Sequence, residues 1–404
     1  MNRFAVILTL SLCIGIGSSL QAQNLPSVGT THTFEVATWN LKFFGDPNQD
    51  PPNDDLALDY AEEIIRQSQI DLWGVEEIRE PNHFYRLLDS LGSEYSGQLG
   101  PDTYLRLGFI YKTSVITDAQ PVQQILTDKS SDFAGRPPLL MHATVSLADT
   151  SFEATFIVLH MKARSSLSDY EKRRRAAQWL KTYIDFFLND RPVFVLGDFN
   201  DRLTTSIVAG RPSPYTNFVQ DSIPQPDPQY YFFPTLPYEL QGGWSWCSNF
   251  SCTSGSMIDH ILITDEVKPH YEPGSCRSYV EAAQSITNYR NTITDHLPVF
   301  ARFTYRTNTA IAESSPRTLS YGLTVHPNPF HESLHLTFTL SQRAKVQLEL
   351  FDLLGRRVAK LEPGYFPAGQ HTLRWPLPTI RVSGVYILRL TAGNTQIIRQ
   401  VIRQ

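Results

Sequence analysis

The sequence predicts an α/β domain followed by a smaller all-β one, and three observations carry that prediction. Four apolar runs, Val36–Trp39, Leu72–Val75, Val193–Leu196 and Leu297–Val299, border on acid, amide or imidazole residues: Asn40, Glu76 and Glu77, Asp198 and Asn200, and Asp295 and His296. Open α/β architectures gather catalytic groups from distant parts of a chain at strand ends in this way. Residues 54–67 and 169–188 carry apolar side chains at helical spacing, including Ala176, Ala177, Leu180, Tyr183, Ile184 and Phe187 in the second stretch. Beyond residue 320 the pattern changes to short alternating strands separated by turn residues.

At its start the chain has a basic Met1-Asn2-Arg3 and an apolar run from Phe4 to Ile16, too short to span a bilayer. A small-residue region, Ser18-Ser19-Leu20-Gln21-Ala22, follows. These features predict a secretory signal peptide over residues 1–22 and no transmembrane segment after it. Export to an oxidising compartment makes a disulfide expected among Cys247, Cys252 and Cys276. Cys247 with Cys252 closes a small loop, Cys276 is the alternative partner, and no Cys-x-x-Cys or His pattern supports zinc. The 404 residues suggest two domains, with 41% hydrophobic residues to fill their cores. A formal charge of −5 gives no general affinity for nucleic acid, so positive charge for an anionic substrate has to be gathered locally.

A linker composition rich in Thr, Asn, Ala, Ser and Pro occupies residues 306–320. After it, Leu334–Phe338, Val346–Phe351 and Val385–Leu390 alternate as strands with one buried face, with turns at Asp352–Gly355 and Pro367–Gly369. These predict a small immunoglobulin-like β-sandwich over residues 321–404.

Phosphodiester hydrolysis needs a held cation, a base for water and donors for charge on phosphorus. Carboxylate and amide oxygens at strand ends suit Mg²⁺ or Mn²⁺, with Ca²⁺ a further candidate. Val36-Ala37-Thr38-Trp39-Asn40, Leu72-Trp73-Gly74-Val75-Glu76-Glu77, Gly197-Asp198-Phe199-Asn200-Asp201 and Thr294-Asp295-His296-Leu297-Pro298 occur in the order found in one family. Over Phe34 to Tyr305 the chain resembles the endonuclease/exonuclease/phosphatase superfamily, the deoxyribonuclease-I-like hydrolases. That resemblance implies a four-layer α/β sandwich, two mostly antiparallel sheets between helices.

The resemblance also implies roles. Glu77 is the main metal ligand with Asn40 assisting and Asp295 a second ligand, while strand alternation turns the competing Glu76 to the opposite face. Asp198 orients or deprotonates the attacking water, and Asn200 steadies phosphate oxygens. His296 takes a proton near neutral pH, held by Asp259 from Met257-Ile258-Asp259-His260. His160 binds phosphate or protonates the leaving oxygen, with Lys162 and Arg136 adding positive charge. In deoxyribonuclease I a Glu two residues after a Tyr braces this His; here Tyr104 is followed by Arg106, which favours phosphate binding by His160, Lys162 and Arg106. His260 is expected to pack or face solvent, the basic run Lys172–Arg175 to be a solvated helix face, and the aromatics at 230–233 and 244–246 to fill core.

The tail resembles the C-terminal sorting domain of the type IX secretion system in Bacteroidetes. Pro327-Asn328-Pro329-Phe330, Leu350–Arg356, Gly369-Gln370-His371 and Ser383-Gly384-Val385-Tyr386 carry the pattern. It implies contact with the secretion machinery and a secreted or surface-attached product exported through the periplasm. An ordinary accessory module is the alternative. Together the two resemblances imply a secreted Mg²⁺-dependent endonuclease for DNA, with RNA as a further substrate. A sphingomyelinase-like or other phosphoesterase is the first alternative and a non-catalytic surface-displayed binding protein the second.

Overall fold

The computed structural model describes residues 25–49, 51–101, 103–188, 191–219, 231–305, 323–340, 343–352, 356–367, 369–377, 380–392 and 395–404. The expected signal peptide at 1–22 and linker at 306–320 lie outside these residues. The chain divides into two compact units, one of residues 1–183 and 190–307 and the other of residues 184–189 and 308–404.

In the first unit the strands are β1 (Phe34–Phe44), β2 (Leu72–Ile78), β3 (Tyr95–Leu99), β4 (Arg106–Lys112), β5 (Ile116–Thr117), β6 (Gln123–Gln124), β7 (Leu139–Leu147) and β8 (Thr150–His160). They continue with β9 (Val193–Asp198), β10 (Tyr231–Phe232), β11 (Trp246–Cys247), β12 (Gly255–Ser256), β13 (Asp259–Thr264), β14 (Arg277–Ser278) and β15 (Val299–Phe303). One sheet has the order β14-β15-β1-β2-β4-β3 and a second the order β10-β13-β9-β8-β7-β5. Among the described residues of these two sheets, β1–β2 and β8–β9 pair parallel and the other strand pairs antiparallel, so both sheets are mostly antiparallel, as the resemblance implied.

Strand alternation sorts the side chains into two cores. From β1, Phe34 and Val36 enter the layer between the sheets, where they meet Phe156, Val158, Phe194, Leu196 and Ile261 of the second sheet. Ala37, Trp39 and Leu41 point the other way, onto Leu58, Ile64 and Ile65 of helix α1 (Asp54–Ser68) and Phe84 and Leu87 of α2 (Pro81–Leu91). Each Val, Leu, Ile or Phe side chain among these contributes about 1.5–3 kcal/mol on burial. Helix α3 (Leu167–Phe187) buries Ala176, Ala177 and Leu180 and supplies the fourth layer. Asn53 caps α1, its side chain accepting from Leu56 N at 3.1 Å. The packed body also takes in Leu25 and Val28, both 5% exposed, so it reaches ahead of the expected start at Phe34.

The second unit holds β16 (Leu323–His326), β17 (Ser333–Leu340), β18 (Ala344–Asp352), β19 (Arg357–Phe366), β20 (Gly369–Pro376), β21 (Gly384–Ala392) and β22 (Thr395–Arg403). They form a three-stranded sheet β16-β17-β20 and a four-stranded sheet β19-β18-β21-β22. Leu334, Leu336, Phe338, Leu348, Leu350 and Leu388 fill the core between them, which gives the all-β sandwich that their alternation predicts.

Candidate active site

The site is the polar end of the inter-sheet core. On β9 the inward row Phe194, Leu196 ends in Asp198; on β8 Phe156, Val158 ends in His160; on β13 Ile263, Ile261 ends in Asp259. These three ends share one register row, His160 opposite Asp198 and Asp198 opposite Asp259. On the facing sheet the inward row of β1 ends in Thr38 and Asn40, and Asn40 stands opposite Glu76 of β2. The apolar interior thus stops at one level and a ring of polar groups begins.

Glu76 occupies the inward position by plain alternation, after Leu72 and Gly74. Glu77 by the same rule faces the helices, and here the structure departs from expectation. Glu77 has φ +62°, and the pairing with β4 slips between Val75 and Ile78. Ile78 then takes the outward place in the helix-side core, and both glutamates turn toward the site. Such a bulge re-aims a side chain at the cost of a left-handed residue, a pattern common beside active sites. Glu77 Oε1 accepts from Asn40 Nδ2 at 3.0 Å and Oε2 from Phe43 N at 3.1 Å. Glu76 is fully buried, accepts from Thr38 Oγ1 at 2.8 Å and, by burial and then by the nearby Asp259, is pushed well above the usual carboxylate range.

His296 and Asp259 form a buried pair: Nδ1 lies 2.8 Å from Asp259 Oδ2 and 3.1 Å from Oδ1. Burial opposes a charged ring, but the Asp259 carboxylate, its hydrogen bond, Asp198 and Asp295 outweigh it and raise the proton affinity of His296 well above the ordinary value. The His296 carbonyl accepts from Trp39 Nε1 at 3.1 Å and Tyr289 Oη at 2.9 Å, which fixes the residue from behind.

Asp198 accepts from Asn200 N at 2.8 Å, Asn200 Nδ2 at 2.9 Å and Asn40 Nδ2 at 3.1 Å. Its carboxyl is pushed up to about 7, by burial first and Asp259 second. Gly197 lets the backbone of β9 approach β8 closely, where an added Cβ would meet Leu159 O at 2.2 Å. His160 Nε2 lies 3.4 Å from Asp198 Oδ2 and 3.7 Å from Glu77 Oε1, and Nδ1 is buried with no hydrogen-bond partner among the described residues. Burial and then Arg136 hold the ring well below its usual value, so it is neutral near pH 7. Arg136 donates to the carbonyls of His160 at 3.4 Å and Met161 at 3.2 Å, and it feels the charges of Glu77 and Asp198.

The structure therefore brings Asn40, Glu77, Asp198, Asn200, Asp259, His296, His160 and Arg136 together. The other named residues stand further out. Asp295 accepts from Trp246 Nε1 at 3.3 Å and lies 3.7 Å from Lys42 Nζ. Lys162 Nζ lies 3.7 Å from Asp169 Oδ1, Arg106 donates to Arg79 O at 2.8 Å, and Tyr104, 61% exposed, sits under the Arg79 guanidinium. For a cation, Asp198, Asp259 and His296 offer ligand atoms within 4.8 Å of one another, and Glu77 and Asn40 offer a second oxygen set beside them. The 2.8 Å Asp259–His296 bond already explains the closeness of the first set. Buried acids crowded enough to raise Asp198 and Glu76 are a donor set that a hard divalent cation would neutralise.

The model of the endonuclease/exonuclease/phosphatase family matches residues 37–296. The chain belongs to this family. As a group its members are divalent-metal phosphoesterases, so the fold is that of a hydrolase. The model of the secretion system C-terminal sorting domain matches residues 324–404, and this type IX tail implies export to a secreted or cell-surface location. A search of curated proteins found no match. Among solved structures, D. rerio TDP2 complexed with a single-strand DNA product is 14% identical, with a TM-score of 0.49, covering 68% of this chain and 99% of that one. A family protein from Bacteroides vulgatus is 17% identical, with a TM-score of 0.47 and coverage of 68% and 99%. A mannosyl-6-phosphatase from Bacteroides thetaiotaomicron is 16% identical, with a TM-score of 0.46 and coverage of 67% and 100%.

Several features of this family member were not as its sequence suggested. The basic run is not simply a solvated face. Arg173 is fully buried against Asp201, and Arg175 reaches Asp132 in the loop that carries Arg136, Nη2 to Oδ1 at 2.6 Å. Charge alone gave no sign of this; the one available signal was that Arg173 falls three residues before Ala176 on the apolar side of the helix. His260 packs as expected, buried between Thr235 Oγ1 at 3.1 Å and Asp201 O at 3.0 Å. Tyr231 and Phe233 fill core, while Trp246 stands beside Asp295. Cys247 and Cys252 form the disulfide, and Cys276 is a buried free thiol.

Proposed function

We propose that this chain is a secreted, metal-dependent phosphodiesterase whose substrate is extracellular DNA, cut internally, with RNA as a second substrate. The observation that carries the reading is the buried Asp259–His296 pair set in the same polar layer as Asp198, Asn200, Asn40 and Glu77. Glu77 and Asn40 would hold the cation, which when bound withdraws charge from the phosphoryl oxygens. In its deprotonated form His296 takes the proton of the attacking water, and Asp259 keeps its ring oriented and stabilises the resulting cation. Asp198, held by three N–H donors, orients that water. Asn200, neutral His160 and the Arg136 guanidinium supply donors for charge that builds on the phosphate. The sorting-domain tail, which implies export, supports a substrate met outside the cell, as free nucleic acid is.

The residues that favour nucleic acid over a small phosphomonoester are Trp246, Phe250 and Arg290. Phe250 is 61% exposed, and the Arg290 guanidinium lies 5.8 Å from both ring centres. Aromatic faces with an adjacent cation suit stacked bases and a phosphate backbone. The full chain with Mg²⁺, given supercoiled plasmid, RNA and sphingomyelin vesicles in parallel, tests the reading. Nicked and linear plasmid is expected; release of phosphocholine without DNA cleavage would replace it with the sphingomyelinase reading.

A further inference from the structure

The buried ion pair behind the site has no part in the chemistry above, and its cost demands an account. Arg173 and Asp201 are each fully buried. Taking such a pair out of water costs several kcal/mol, and apolar residues of the same volume would usually serve stability as well. What a guanidinium supplies and an apolar side chain does not is a rigid planar fork of donors.

The fork joins three segments. Nε donates to Asp201 Oδ2 at 2.9 Å, and Nη2 lies 2.8 Å from the same oxygen. Nη1 donates to Lys162 O at 2.7 Å and Arg164 O at 2.8 Å. The 162–164 segment leaves β8 directly after His160, and Asp201 leaves β9 directly after Asp198 and Asn200. Both exits hold non-glycine residues in the left-handed region, Arg164 at φ +82° and Asn200 at φ +54°. Backbone of that kind persists only where its surroundings over-determine it. Asp201 is itself saturated, accepting also from Ser206 Oγ at 2.8 Å, Ile207 N at 2.6 Å and Arg202 N at 2.9 Å, so it locks its loop as a unit. The two exits are tied again nearer the site, where Met161 N donates to Asp198 O at 2.8 Å and Asn200 Nδ2 to Met161 O at 3.2 Å.

We infer that Arg173 is a positioning residue: through Asp201 and the carbonyls of Lys162 and Arg164 it sets the mutual placement of His160 and the Asp198–Asn200 pair. This rests on the phosphodiesterase reading for its kinetic consequence but not for its structural one. Arg174, the next residue of the same run, is half-buried, its side chain 42% exposed, and paired with Glu171 at 2.9 Å, and it serves as the control.

Arg173→Ala leaves Asp201 as an uncompensated buried charge and is expected to unfold the domain, so Arg173→Lys is the variant to compare with Arg174→Ala in the full chain. Lysine keeps the charge and loses the fork. A misplacement of this kind predicts a kcat lower by roughly 10- to 100-fold with KM within about threefold of wild type, and cooperative thermal unfolding retained. It also predicts a displaced His160 Cε1–H signal in the ¹H–¹³C spectrum of the metal-free protein. Arg174→Ala is expected to match wild type in all of these. Arg173→Lys with wild-type kcat and an unmoved His160 signal would overturn the inference. So would loss of cooperative unfolding in Arg173→Lys, which would assign the pair to core stability alone, and so would a KM increase shared by Arg174→Ala, which would assign the run to substrate binding. If wild type cleaves no phosphodiester, the proposed function fails, and the His160 signal still decides this inference by moving in Arg173→Lys and not in Arg174→Ala.

Discussion

Replacing Asp259 by Asn keeps the shape of the His296 contact and removes its charge. The His296 Nδ1 lies 2.8 Å from the nearer carboxylate oxygen. At an effective dielectric of about 20, opposite unit charges at that separation attract by roughly 6 kcal/mol. That term is what lets the ring hold a proton against its own burial. In Asp259→Asn the burial is left opposed only by the weaker pull of Asp198 and Asp295, so the imidazole is expected to titrate below its ordinary value of 6.5. Catalysis loses both orientation and the stabilised imidazolium, a fall in kcat of roughly 10³- to 10⁴-fold, or about 4–5.5 kcal/mol. Stability follows with a definite sign. A raised imidazole stabilises the fold fully below 6.5 and progressively less as pH rises through its folded value, so the wild-type advantage over Asp259→Asn shrinks with rising pH. NMR titration of His296 in the metal-free protein, with kcat on a phosphodiester, checks both parts. An Asp259→Asn ring still titrating well above 6.5, or a kcat within about tenfold of wild type, would refute the reasoning.

Chelation with EDTA is expected to abolish hydrolysis and Mg²⁺ or Mn²⁺ to restore it, while Glu77→Gln raises the metal concentration for half-maximal rate by roughly 10- to 100-fold; activity surviving chelation would remove the metal from the account. At the far end of β1, Glu35 is pushed up to about 8 by burial and then by Asp71. Stability from its protonated form is full below 4.5 and is lost as pH rises toward 8, so Glu35→Gln should gain on wild type by about 1.4 kcal/mol per pH unit across that window. Denaturant titrations at intervals through the window test this, and a pH-independent difference would contradict it. The Cys247–Cys252 bridge closes a short loop with a sequence separation of 5, so Cys247→Ser with Cys252→Ser is expected to cost about 2 kcal/mol, read by chemical denaturation; an unchanged midpoint would show the loop to be held by other contacts.

Alternation made most of the site legible. Once Phe194 and Leu196 are read as inward, Asp198 follows at the strand end, and the same count places His160, Asp259 and Asn40. Glu77 was reachable only through the family pattern, because the bulge that turns it inward breaks the alternation on which a sequence reading depends. Arg173 was misjudged for the opposite reason. A charge run is read as surface since single charges avoid burial, and only the fold reveals Asp201 waiting on the neighbouring strand exit. Helix α2 has no strong N-terminal signal in the sequence: Glu80 at its cap position makes no capping hydrogen bond, and the helix is held by packing of Phe84, Leu87 and Leu91. In the tail, β17 alternates buried and half-buried residues along its whole length, and the three strands read from such alternation, with the turns between them, were enough for the all-β class.

The central claim is that His296 is the proton acceptor of a metal-dependent DNA hydrolase. Supercoiled plasmid incubated with the full chain and Mg²⁺, beside His296→Ala of equal thermal stability, tests it most directly. The account predicts nicking by wild type and a loss of at least about 10³-fold in the variant. Equal nicking by both proteins would contradict it.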